Sequence, residues 1–172
     1  MAQEVLRVSQ VRALSSSLMQ YLWELIFPAL PSAVGDVGEA LSLRTRRFNL
    51  PGFEIQKVFS HFKGHRIPHP SKPQFTSEMT VGLEEGTDIV VLSSMRAWRE
   101  VWLNEETGVG GLESDLKITL RANLLNNEKT IVKSIDIYDV FPQSVPGTAL
   151  AFESPELVVP EITLAYSWWD FV

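Results

Sequence analysis

Apolar and polar side chains alternate residue by residue along much of this chain, and that period limits its fold more than any other feature. In QFTSEMTVGLEE, Phe75, Met79, Val81 and Leu83 fall on one side and Thr76, Glu78, Thr80 and Glu84 on the other. A period of two belongs to a strand with one face on a core and one face in water. KITLRANLL sets Ile118, Leu120, Ala122 and Leu124 against Lys117, Thr119, Arg121 and Asn123. Asn126-Asn127 follows, residues that tolerate positive φ in a tight turn, and KTIVKSIDIYDVF is the return strand of the hairpin, stopped by Pro142. EITLAYSWWDFV is a last strand, with Ile162, Leu164, Tyr166 and Trp168 on one side. The chain is predicted to be mainly β.

The remaining segments complete that picture. Residues 1–18 place Val8, Val11, Leu14 and Leu18 at helical spacing, which predicts a short helix or an N-terminal arm. Residues 19–27 read as a strand covered on both faces, and Pro28, Pro31 and SAVGDVGEA as a loop. LSLRTRRFNLPGFEIQKVFSHF reads as two short extended pieces broken at Pro51-Gly52, and DIVVL as a further short strand. One flanking helix is marked: Ser93 or Ser94 can cap it, Met95, Trp98 and Trp102 share a face, Arg96, Arg99 and Glu100 face water, and Thr107-Gly108 with Gly110-Gly111 end it.

Length and composition bound the function. A chain of 172 residues supports one domain with a sizeable core, and without cysteine its stability must come from packing or assembly. Arg7 and Arg12 precede the apolar run YLWELIFPAL, but Glu24 interrupts it, which reads as a buried strand rather than a signal peptide. No stretch has the apolar length of a membrane helix. A net charge of −6 argues against gripping nucleic acid through its phosphates. The charge is unevenly spread. Between residues 43 and 75, Arg44, Arg46, Arg47, Lys57, Lys63, Arg66 and Lys72 face the single acid Glu54, and acids predominate from Ser77 onward. Such a chain can pair with copies of itself.

HFKGHRIPHP holds all three histidines, His61, His65 and His69, at a spacing of four. On a helix that spacing suits zinc, but Gly64, Pro68 and Pro70 oppose a helix, no cysteine completes a site, and the nearest upstream acid is Glu54. Residues 59–74 are therefore expected to be an extended, partly basic inter-strand loop rather than a metal site. Glu84-Glu85 and Glu105-Glu106 point apart as neighbours and form no acid/base pair. With no triad, phosphate cradle or metal motif, the chain reads as non-enzymatic and without a cofactor.

SIDIYDVFPQSVPGTALAFESPELVVPEITLAYSWWDF resembles the end of the tail tube proteins of contractile-tailed bacteriophages, which are related to the tube proteins of phage-like contractile injection systems. The likeness is carried by Ile135, Ile137, the Phe141-Pro142 turn, Val145, Leu150, Phe152, the strand Ile162-Thr163-Leu164-Ala165 and the pair Trp168-Trp169. NLPGFEIQKV and LSSMRAWREVWLN are similar to that family's second strand and single helix.

The resemblance implies a single tail-tube domain over residues 1–172, a β-sandwich or barrel-like protomer with one flanking helix. Six protomers would form a ring, and stacked rings the inner tube of a contractile tail. The loop of residues 59–74 would reach a neighbouring ring, with His61, Lys63, His65, Arg66, His69 and Lys72 meeting acids such as Glu84 and Glu85, or Glu105 and Glu106. Glu78, Thr80 and Asp136 are lumen candidates, since an acidic or neutral lining lets DNA pass unbound.

Implied partners are the chain itself, a sheath outside, baseplate and terminator proteins at the ends, and DNA in transit, with no membrane. The implied location is the tail of a virion, assembled in the host cytoplasm. A tube or tube initiator of an injection or secretion system is the near alternative. Two rivals come from other classes: a monomeric ligand-binding β-sandwich stacking sugars on Trp168, Trp169 or Tyr138, and a zinc hydrolase using the three histidines.

Overall fold

The computed structural model describes residues 18–147 and 156–172. The expected N-terminal helix or arm, Leu18 apart, and the positions of Leu150 and Phe152 lie outside the described residues.

Seven strands form one antiparallel array: β1 (Trp23–Ile26), β2 (Thr45–Phe48), β5 (Glu78–Leu83), β6 (Ile118–Leu125), β7 (Ile131–Ser144), β8 (Glu161–Ala165) and β9 (Trp168–Phe171). Their order is β1-β6-β7-β8-β5-β2, with β9 also alongside β7. The long β7 serves both halves of the array. Its residues Ile135, Asp136, Ile137 and Tyr138 pair with β9, and Phe141, Pro142 and Ser144 pair with β8. Between the two sets Asp139 sits at φ 58, a conformation that bends the strand from one half into the other.

The free ends of the array meet where the rings of Trp23 and Phe48 pack at a tilt of 45°, 5.9 Å between centroids. The sheet is thereby rolled around one core. Leu25, Leu120, Ala122, Ile135 and Ile137 enter it from one half, and Met79, Val81, Leu83, Ile162 and Leu164 from the other. The expected mainly β, sandwich or barrel-like architecture with a flanking helix is the one found.

That helix, α2 (Val90–Trp102), closes the core with Val91, Met95 and Trp98. Trp98 is wholly buried, and its indole Nε1 donates to the Leu116 carbonyl at 2.7 Å, tying α2 to the short α3 (Glu113–Leu116). Trp102, expected on the buried face, is exposed, because α2 ends there and Leu103 continues in extended conformation. DIVVL is not a strand: Val90, Val91 and Leu92 form the first helical turn. Ser93 and Ser94 do not cap that turn. Their hydroxyls lie inside the helix and donate back to the carbonyls of Ile89 and Val90 at 2.6 Å each. The cap comes from Glu85, whose carboxylate accepts the Val91 amide at 3.1 Å and the Leu92 amide at 2.7 Å. An anion satisfying orphan N–H groups at the positive end of a helix does the work expected of the serines.

Other segments depart from the sequence reading in the same way. Part of the expected loop and extended run is a helix, α1 (Gly38–Arg44), which buries Leu41. A Cβ at Gly38 would come within 2.4 Å of the Phe27 carbonyl oxygen, so only glycine permits this approach. Pro142 does not stop β7, which runs on to Ser144 with a register shift where the proline pairs Leu164. In the hairpin turn the positive φ falls at Lys129. Asn126 serves through its side chain instead, its Oδ1 accepting from the amides of Glu128 and Thr130 at 2.9 Å each. The last strand breaks at Tyr166-Ser167 into β8 and β9, which buries Tyr166 and turns Trp168 outward.

The largest correction concerns residues 59–74. They are not a loop but most of a ten- and eleven-residue hairpin, β3 (Phe53–Phe62) and β4 (His65–Phe75), which forms a separate two-stranded sheet. Its two-residue turn places Lys63 at φ 46 and Gly64 at φ 84, the left-handed geometry that matches strand twist. Pro68, Pro70 and Pro73 stand opposite Phe59, Lys57 and Ile55. A two-stranded sheet has free edges, and only there does a strand tolerate so many missing donors.

Candidate assembly surfaces

The β3–β4 hairpin is an arm anchored at its base. The rings of Phe53 and Phe75 each lie 6.3 Å from that of Trp169. Tyr166, 2.6 Å from Thr76 Oγ1, and Trp169 both point polar atoms at the Gly52 carbonyl, at 3.4 and 3.5 Å. Beyond that base the arm stands clear of the body: Phe59 and Phe75 are the only half-buried residues of the two strands. Ile55, Val58, Phe62 and Ile67 are all exposed.

Register decides what the histidines can do. Phe62 pairs with His65, His61 with Arg66 and Val58 with His69, so His65 and His69 share one face and His61 lies on the other. Four residues along a strand also separate His65 and His69 by about 13 Å. The three imidazoles do not converge, and His69 Nε2 instead lies 2.8 Å from Ser60 Oγ. Among the described residues no ion pair involves Lys57, Lys63, Arg66 or Lys72. Lys63 and Arg66 lie over the rings of Phe62 and Phe59, at 5.5 and 3.5 Å from the centroids.

The acids proposed to meet the arm differ in availability. Glu84 is held by Arg46, and Glu85 is turned inward to cap α2, 3.7 Å from Arg44 Nη1. Arg44 also donates to Asp88 at 2.6 Å; that hydrogen bond raises the guanidinium pKa and lowers that of the carboxyl. Glu105 meets Arg99 at 3.1 Å, and Glu106 has no ion-pair partner among the described residues.

The lumen candidates fall on two different walls. Glu78 and Thr80 line the outer side of β5, where Glu78 accepts from Gln143 Nε2 at 2.9 Å. Asp136 lies on the side of β6 and β7 away from the core but is itself buried, at 8% exposed, gripped by Arg121 through two hydrogen bonds of 2.7 Å that hold its carboxyl below the usual carboxylate range. Sequence reasoning missed the polar ladder that continues from it: Asn123 donates to Glu24 at 2.6 Å and accepts from Ser134 at 2.7 Å. Alternation across β6 and β7 carried that signal, since directly opposed polar residues on one face interact. The three aromatics of the sugar-platform reading do not form one surface. Tyr138 and Trp168 stack at 4.2 Å and 15°, whereas Trp169 packs among Phe53, Phe75 and Phe171.

No protein-family model matches the sequence, and no curated protein does either. Solved structures do resemble this one, over nearly the whole chain. The anti-feeding prophage cap, described as a tube terminating cap, aligns with a TM-score of 0.61 at 16% identity, covering 93% of both chains. A chain of the sheath-tube complex of the PVC extracellular contractile injection system aligns at 0.58 and 15% identity, covering 98% of this chain and 99% of that one. A chain of the anti-feeding prophage baseplate aligns at 0.63 and 11% identity, covering 92% and 97%. The rolled sheet with its flanking helix is thus a fold shared with components of contractile injection systems. The tail-tube fold implied by the sequence resemblance is the fold this chain has.

Proposed function

We propose that this chain is a structural subunit of the inner tube of a contractile tail or phage-like injection system. In this reading six copies close into a ring, rings stack, and the channel conducts DNA or another cargo without binding it. The chain acts with sheath, baseplate and terminator partners, uses no cofactor and catalyses nothing. It belongs to the tail of a particle assembled in the host cytoplasm.

The observation that carries the reading is the arm. A hairpin of this length, apolar on both faces and basic, has no layer behind it among the described residues, and isolated two-stranded sheets are at best marginally stable in water. Contact with further copies supplies the missing layer. His61, Lys63, His65, Arg66, His69 and Lys72 then lie at the contact. Glu78 and Thr80, or alternatively Asp136, line the channel, but not both sets together.

The test is negative-stain electron microscopy of the purified chain across a concentration series, with light scattering on the same samples. Hollow tubes that lengthen with concentration are expected. Discrete rings that never elongate would favour a second reading, an end piece of the tube, which the likeness to a tube terminating cap supports. A monomer at every concentration, together with glycan binding, would replace both by the ligand-binding sandwich.

A further inference from the structure

The connection between α2 and α3 is an exposed surface that neither the core nor the arm explains. After Trp102 the chain doubles back, Leu103 bridging Gly110 and the Gly111 amide donating to the Trp102 carbonyl at 2.9 Å. Asn104 Oδ1 closes the turn by accepting from the amides of Glu106 and Thr107 at 3.1 and 3.0 Å. This self-braced turn holds Trp102, Leu103, Val109 and Leu112 in solvent, each at least 46% exposed. Apolar groups gathered this way mark an interaction surface.

Its charge is the inverse of the arm's. Residues 103–116 contain Glu105, Glu106, Glu113 and Asp115 and no Lys or Arg. Glu105 and Glu113 are paired with Arg99 and Lys117, whereas Glu106 and Asp115 meet no cation among the described residues. Of the grooves elsewhere on the body two hold arginines, and a third, lined by Phe27 and Leu30 with Asp36 and Glu39, is the rival acidic surface that the cross-link below distinguishes. The groove beside β1 and β2, lined by Leu22, Trp23 and Phe48, also holds Arg46 and Arg47. The one between α2 and the end of β7 holds Arg96 and Arg99 beside Leu92 and Val145.

We infer that the α2–α3 turn is the acceptor for the arm of a second copy. Val58, Phe62 and Ile67, which share one face of the arm, cover Trp102, Val109 and Leu112, while Lys63, at the turn beside Phe62, reaches Glu106. Complementary charge sets the register and the apolar contact supplies the affinity. The inference rests on the self-assembly reading and adds to it a named surface.

Because the natural chain lacks cysteine, single thiols can be placed at will. Full-length Lys63→Cys and Glu106→Cys chains, mixed under mild oxidation, should give a disulfide-linked dimer that neither gives alone. In parallel, Lys63→Glu and Glu106→Lys should each raise the concentration needed for assembly about tenfold or more, and the chain carrying both should return to within about threefold of the natural one. Circular dichroism and urea midpoints check that each variant folds. If the natural chain assembles but no mixed cross-link forms and the double reversal fails to rescue, the acceptor surface is wrong and self-assembly stands. A cross-link without rings or tubes keeps the contact and removes the tube. A monomer with no cross-link removes both.

Discussion

Strands β4 and β5 follow one another in the chain, separated only by Thr76 and Ser77, yet they occupy opposite environments. In β5, Met79, Val81 and Leu83 are each no more than 3% exposed, whereas every residue of β4 except Phe75 is exposed. Local propensity does not separate them. Strand β5 is hydrogen-bonded on both edges, to β2 and β8, and α2 helps to close the core beneath it; β4 has β3 on one edge and, among the described residues, no strand on the other. The comparison teaches that burial is conferred by a second layer, and that the described residues of the protomer supply none to the arm.

The difference can be tested from the body outward. Trp98→Ala should cost about 3–5 kcal/mol in urea unfolding, since it empties a wholly buried site and orphans the Leu116 carbonyl. A loss below about 1 kcal/mol would mean that the core is not the rigid half of the comparison. Glu85→Ala should cost about 1–2 kcal/mol and speed hydrogen exchange at the Val91 and Leu92 amides, where unchanged exchange would remove Glu85 as the cap.

Asp136→Asn tests the polar wall through pH. The Arg121 guanidinium holds the Asp136 carboxyl low, so its stabilising contribution is complete above the ordinary value near about 4 and fades as pH falls through the lowered folded value. The stability gap between natural chain and variant should therefore be widest at neutral pH and close in acid; a constant gap from pH 7 downward would contradict it. Phe62→Ala should change monomer stability by less than about 0.5 kcal/mol while reducing assembly in sedimentation. Equal losses in both measurements would erase the distinction between arm and body.

What was legible in the sequence follows the same division. The alternation of β5 and β6 was plain because each has a core face, and Met95 and Trp98 marked α2 for the same reason. The arm was misread because no core imposes alternation on it, and its prolines, which argue against a central strand, are harmless in a ribbon. The α2 start was misread because Val90 and Val91 favour strands locally, while the cap that fixes the helix lies upstream at Glu85. Of the assembly surfaces, the basic character of the arm was visible, but the inward turn of Glu85 and the exposure of Trp102 depend on tertiary context that no window of sequence contains.

The prolines of β4 have a further consequence. The two-residue turn fixes which positions of the ribbon bond inward, and by that register Pro68 and Pro70 stand where backbone N–H groups would otherwise point outward. That rim has lost donors, while the β3 rim keeps its own. A sticky ribbon repeated in many copies at high local concentration is a seed for fibrils, and a rim short of donors makes a poorer second template for such growth. If copies add in order as proposed, misdirected polymerisation is thereby handicapped before it competes with that addition.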